Sequence, residues 1–199
     1  MKKLFLLLIL PAFIMSCNST SRTVQRTSAD TVTDLSGRWN DTDSRLVAEE
    51  MVSDSLSFPW VNDFATQEGR KPVVIVGSIS NRSSEHIDTR VFTKDIEREL
   101  IKSGTVKFVA SSDERLQLRD EKTDQQSQSS LDTMKRIGQE TGADFMLIGN
   151  ISSITDAIDN RKVVFYQVDM ELINIETNEK VWIGSKEIKK EIEQRKSKF

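Results

Sequence analysis

Cys17 is the only cysteine and His86 the only histidine in 199 residues, so nucleophilic or metal chemistry would have very few groups to work with. A single imidazole excludes a multi-histidine metal site, and nothing else resembles metal-ligand spacing. No nucleophile-elbow, phosphate-loop or dinucleotide glycine pattern occurs. Ser83 or Ser84 could be drawn with His86 and Asp88 as a triad, but neighbours within one loop seldom aim at one reacting atom. The plainer account is that Asp88 caps a helix while His86 orders the loop through a hydrogen bond. A third account makes Asn81, Arg82, Ser83, Ser84, Glu85 and His86 a partner-binding surface, because loops that follow buried strands often form the functional rim of an α/β sheet. The expectation is a chain that is not an enzyme, with no catalytic residues, no metal, no cofactor and no small-molecule substrate.

The surroundings of Cys17 give it a different chemistry. Met1-Lys2-Lys3 is a short basic start, Leu4 to Met15 is apolar throughout, and Ser16 is the small residue that precedes a secretory cleavage site. The apolar run is too short to span a bilayer, which takes roughly 20 residues. Residues 1–16 therefore read as a signal peptide, cleaved between Ser16 and Cys17. An ordinary cleaved signal would leave a free thiol just beyond the cut. That thiol, in an oxidising compartment, invites intermolecular pairing. Ile14-Met15-Ser16-Cys17 resembles the bacterial lipobox, whose cysteine is lipidated and becomes the first residue of the mature chain. The resemblance implies three acyl chains on Cys17, palmitate among them, and stable anchoring takes two or more at about 0.8 kcal/mol per buried methylene. Asn18, where inner-membrane retention favours Asp, leans toward the outer membrane.

Cleavage removes Lys2 and Lys3 from 28 basic residues and none of the 31 acids, so the formal charge moves from −3 to about −5. Nucleic acid is excluded as a partner, since it asks for a concentrated basic face. Asn18 to Asp34 is rich in Ser and Thr and cannot bury enough apolar area to offset its ordering entropy. With Cys17 it reads as a lipidated, flexible linker over 17–34, able to extend to at most about 60 Å. Residues 35–199 remain as one α/β domain with a polar C-terminal tail.

The elements that must position the loop follow from periodicity. Side chains among Asn40 to Asp43 can cap a helix whose apolar face is Leu46, Val47, Met51, Val52 and Leu56, and Phe58-Pro59-Trp60 stops it. Pro72 to Ile79 is apolar on both faces, as in a central strand covered on two sides. Asn81 to Asp88 is a polar loop. Asp88 or Thr89 then caps a helix carrying Phe92, Ile96 and Leu100, with Gly104 as its left-handed stop. Val106 to Val109 is a short strand, 113–128 a solvated helix, and Ser130 to Ile137 a brief helix. Phe145 to Ile151 is a second buried strand. Tyr166, Val168, Met170 and Leu172 alternate with polar residues, Thr177-Asn178 turns the chain, and Val181 to Gly184 returns. The expected fold is an α/β mixed sheet of four to five strands packed with helices and ending in an antiparallel hairpin. Trp39, Trp60 and Trp182 are expected in packing rather than at an interface.

Four stretches in order carry a resemblance: DLSGRWNDTDSRLVAEEM at 34–51, VGSISNRSSEHIDTRVF at 76–92, TGADFMLIGNISSI at 141–154 and YQVDMELINIETNEKVWIGSKEIKK at 166–190. They resemble the LpoB family of penicillin-binding protein activators, lipoproteins with a TolB N-terminal-like domain. The resemblance implies an outer-membrane lipoprotein facing the periplasm. It would bind and activate a class A penicillin-binding protein, a bifunctional peptidoglycan synthase, and so act in cell-wall synthesis and cell shape. The alternative is a non-enzymatic structural or assembly lipoprotein of an envelope or secretion complex. The 17-residue linker is short for a tether that must carry a domain toward an inner-membrane enzyme.

Overall fold

A computed structural model describes residues 22–29, 31–128 and 142–193. The chain divides into two units, Met1–Thr31 and Val32–Phe199. The described part of the first unit is exposed and holds a turn in which the Thr31 amide donates to the Ser28 carbonyl. Ser16, Cys17 and the apolar run before them lie outside the described residues, as does the helix expected at Ser130–Ile137.

The second unit begins its regular structure at Asn40. The Asn40 side chain accepts from the Asp43 amide at 3.1 Å while the Asp43 carboxylate accepts from the Asn40 amide at 2.9 Å, a reciprocal capping box that opens α1, Asp41–Ser57. Val47, Ala48, Met51 and Val52 form its buried face, whereas Leu46 stays 45% exposed and so narrows the expected stripe. Phe58-Pro59-Trp60 ends α1 and also starts α2, Trp60–Glu68, a helix that the spacing of apolar residues does not announce. Pro59 has φ −60° and turns the chain straight into it, and Gly69 closes it at φ 66°. The Trp60 indole donates to the Ser55 carbonyl at 2.7 Å, and its ring lies 5.0 Å from Phe145.

β1, Val73–Asn81, is buried on both faces from Val73 to Val76, as its unbroken apolar run predicts. α3, Thr89–Ser103, packs back on β1 with Phe92, Ile96 and Leu100 inward and Gly104 at φ 61° as its stop. β2, Lys107–Phe108, then pairs parallel with β1, and α4, Ser112–Gln128, holds Leu116 and Leu118 in solvent. β3, Phe145–Ile158, also runs parallel to β1. β4, Arg161–Asn174, and β5, Lys180–Glu193, complete the five-stranded mixed sheet β2-β1-β3-β4-β5 with antiparallel pairings.

Two features of the sheet exceed the expectation. β3 runs to Ile158, through the polar NISSITDAI stretch, and turns at Asp159 with φ 52° into β4. β5 runs to Glu193, so the charged stretch after Gly184 is strand as far as that residue. Asn178, at φ 62°, takes the left-handed turn position that asparagine tolerates. The main core lies on one face of the sheet, where α1 and α3 cover Val74, Val76, Leu147, Ile151, Val168, Met170 and Leu172. Burying side chains of this size contributes about 1.5–3 kcal/mol each.

Candidate interaction surface

The loop after β1 is closed by the side chain of Asn81. Its amide donates to the Glu85 carbonyl at 2.8 Å, and its oxygen accepts from the Ser83 amide at 2.9 Å and the Ser83 hydroxyl at 2.7 Å. An asparagine that satisfies backbone groups two and four residues on makes a turn without regular secondary structure. The Arg82 amide donates to the Ile151 carbonyl at 2.8 Å and the Ser84 amide to the Ser153 hydroxyl at 3.1 Å, which fastens the loop to β3. Asp88 caps α3 by accepting from the Arg90 amide at 3.1 Å, and the Arg90 guanidinium holds its carboxyl down to about 2.

His86 is exposed and makes no hydrogen bond among the described residues. The ordering role expected of His86 belongs to Asn81. Ser83 is committed to Asn81 and the Glu85 carbonyl, Ser84 to Ser153 and Asp88 to Arg90, so these groups are not brought together for nucleophilic chemistry. Asn81, Arg82, Ser84 and His86 face solvent, whereas Ser83 and Glu85 are half-buried.

Glu85 turns inward for a reason that the sequence does not advertise. Its carboxylate accepts from the Trp39 amide at 3.2 Å and lies beside Tyr166. The Tyr166 ring is fully buried and its hydroxyl donates to the Gly37 carbonyl at 3.4 Å. Burial first, and then the Glu85 carboxylate, push that phenol above its ordinary value. Trp39 sets its ring edgewise against Tyr166 at 5.7 Å and Phe92 at 6.0 Å. The loop and the arm before α1, residues 33–39, are therefore locked together over one aromatic cluster.

The arm is held at its other end by Lys190, whose side chain is 9% exposed. All three of its donors are used: on Asp34 at 2.6 Å, on Asp43 at 2.6 Å and on the Arg38 carbonyl at 3.2 Å. Burial alone would pull this lysine down, but the hydrogen bonds to Asp34 and Asp43 outweigh it and hold the group above its ordinary value. The same contact depresses Asp34. Asn40 adds donors to Asp34 at 2.7 Å and to the Thr33 carbonyl at 3.2 Å. One signal was available in sequence: Ile188 and Ile192 flank Lys190 at period two, which puts the lysine on the apolar face of its strand.

The arm, the loop and the second half of β3 thus form one end of the domain. It is a polar rim tied together by hydrogen bonds, and among the described residues it sets no nucleophile against a base. Among the described residues no helix is long and apolar enough to cross a membrane.

A family model described as peptidoglycan-synthase activator LpoB matches residues 43–188, from the first turn of α1 into β5. No curated protein matches the chain. Among solved structures the chain is similar to the LpoB C-terminal domain from Salmonella enterica, at 21% identity over 73% of this chain and 98% of that one, with a TM-score of 0.44. The LpoB C-terminal domain from Escherichia coli is similar at 20% identity, over 73% of this chain and 98% of that one, with a TM-score of 0.43. A PelC dodecamer from Paraburkholderia phytofirmans is similar at 15% identity, over 63% of this chain and 75% of that one, with a TM-score of 0.31.

Proposed function

The chain belongs to the peptidoglycan-synthase activator LpoB family, and on that premise we propose that it is an outer-membrane lipoprotein that binds a class A penicillin-binding protein in the periplasm and activates it. The family match carries this reading, since residues 43–188 include β1, the 81–86 loop and all of β3, leaving outside it only the 33–39 arm and its anchors Asn40 and Lys190. Its anchor is a lipidated Cys17 following a signal peptide of residues 1–16, with the tether beginning at Asn18. The rim loop, residues 81–86, supplies part of the contact.

Activation requires that the domain bind one conformation of the synthase more tightly than another, because a ligand that binds both equally shifts nothing. A pre-ordered surface suits that task. The loop is already closed by Asn81 and pinned by Arg82 and Ser84, so little ordering entropy is lost on binding. The domain contributes binding free energy and leaves the chemistry to its partner.

The test is co-purification of the full chain from detergent-solubilised membranes, followed by a glycan polymerisation assay with the captured synthase. The expected result is a class A penicillin-binding protein in the eluate, polymerising faster with the chain present. Consistent absence of any such enzyme, or capture without a change in rate, would sink the activator reading. A defined high oligomer in light scattering would favour an assembly role instead.

A further inference from the structure

β1 ends at Asn81, opposite Ile151, so the rest of β3 has β4 on one side only. Ile151 offers its carbonyl to Arg82 on the β1 side, and the alternation of a strand makes Ser153, Thr155 and Ala157 face the same way. Even-numbered residues supply the pairing with β4, as the Ile175 amide on the Asp144 carbonyl indicates. Every residue from Ile154 to Asp159 is exposed. Their outward backbone groups form an open edge directly beside the rim loop.

The side chains along this edge say what would fit it. Ile154 is 69% exposed and Ile158 74%, and with Asp156 they share the sheet face turned away from the main core. The Asp156 and Asp159 carboxylates make no ion pair or hydrogen bond among the described residues. Arg161, diagonal to Asp156 on that face, is already committed to Glu191. The free edge of β5 differs, since it carries Lys186, Glu187, Lys189, Glu191 and Glu193, the charged pattern with which edges resist pairing. Ile154 to Ile158 contains one charge and no lysine or proline.

We infer that the β3 edge from Ser153 to Ile158 receives an extended segment of the partner protein as an added strand, with apolar, basic and apolar residues at positions i, i+2 and i+4. Main-chain hydrogen bonds to Thr155 and Ala157 supply affinity, and the basic residue lies across from Asp156 between the two isoleucines. A second copy of this chain is the poorer occupant. Antiparallel self-pairing of this edge brings both copies of Asp156 onto one face, directly opposite or diagonal, where like charges repel. The inference deepens the activator reading and rests on it for the identity of the partner.

The experiment uses the full chain in detergent with two probes: the solubilised class A synthase, and a capped heptapeptide, Thr-Val-Thr-Lys-Thr-Val-Thr. Thr155→Pro removes an amide that faces the edge and spares the β4 side. Asp156→Lys reverses the charge and cannot disturb the core. Circular dichroism checks that both fold. Loss of synthase affinity by about tenfold or more in both variants, with Thr155 and Ala157 amides protected from exchange in the complex, supports the edge. If Thr155→Pro fails to fold, Asp156→Lys and the amide protection decide alone. Wild-type affinity in Asp156→Lys, or unprotected amides, overturns the edge and leaves the activator reading standing. If the synthase does not bind but the peptide protects those amides, the edge stands and the activator reading falls. If neither binds, both fall. Protection that grows with chain concentration in the absence of either probe identifies a second copy and also overturns the proposal.

Discussion

At Lys190 a strand in a charged run carries one buried cation, two of whose three partners are carboxylates. Lys190→Met would leave Asp43, itself almost wholly buried, with no cation. Breaking one side of a buried pair costs about 3 kcal/mol. Urea denaturation should show a loss of that order, and a change under about 0.5 kcal/mol, the usual range for exposed surface sites, would mean that water solvates the site. Thr42 offers the opposite sign. Its hydroxyl is buried without a hydrogen-bond partner among the described residues, so Thr42→Val should leave stability equal or raise it by about 1 kcal/mol. The two differ in how far sequence reveals them. Asn40 and Asp88 stand just before helical periodicity, where a short polar side chain has one obvious use, and both act as caps. Asn81 and Glu85 carry no such mark. Their partners, Ser83 and Trp39, are set by a turn and by an arm arriving from another part of the chain, which no local pattern encodes.

The arm, β3 and α2 mark where period stops being a guide to elements. α3 and β1 are strongly periodic or wholly apolar, and their bounds follow. α2 has nine residues of mixed polarity and exists because Pro59 restarts the chain and Trp60 and Phe64 pack on Phe145. The second half of β3 lacks an apolar alternation and is a strand because β4 supplies the ladder. Gly149 shows how close that ladder is: a Cβ there would stand 2.7 Å from the Asp169 carbonyl oxygen, a backbone atom that cannot step aside. Gly149→Ala should destabilise by about 1–3 kcal/mol, measured as a lower urea midpoint at unchanged slope. The arm responds to pH through its anchors. Asp34 is depressed, so its contribution is present above the ordinary aspartate value and disappears as pH falls below it through the lowered one. Lys190 is raised, so its contribution is present below about 10.4 and disappears as pH climbs past its raised value. The Trp39 indole NMR signal, assigned with Trp39→Phe, should hold its position between about pH 5 and 9 and shift only outside that window. A transition near neutrality would show that some other group holds the arm.

For the whole molecule, the arm changes how far the domain can travel. Asp34 is tied to Lys190 and Thr33 to Asn40, so a tether starting at Cys17 has only Asn18 to Val32 to extend. Those residues reach at most about 50 Å when fully extended. Relaxed, they would span roughly 20 Å, and the concentration of the domain at a distant partner falls steeply once the span exceeds that length. With Cys17 lipidated as proposed, so short a tether would make distance, rather than affinity, the quantity that limits activation. Two variants separate the two. Cys17→Ala should abolish membrane association yet leave stimulation of purified synthase unchanged, because the rim is built entirely from Val32 onward. Deleting residues 21–28, between Thr20 and Ala29, should leave purified stimulation equally intact while cutting the reach to about 25 Å and abolishing function in cells. Doubling the same stretch should restore it. If the shortened chain still functions in cells with Cys17 lipidated, its partner lies within that reach of the anchoring membrane, and the domain does not search across the periplasm at all.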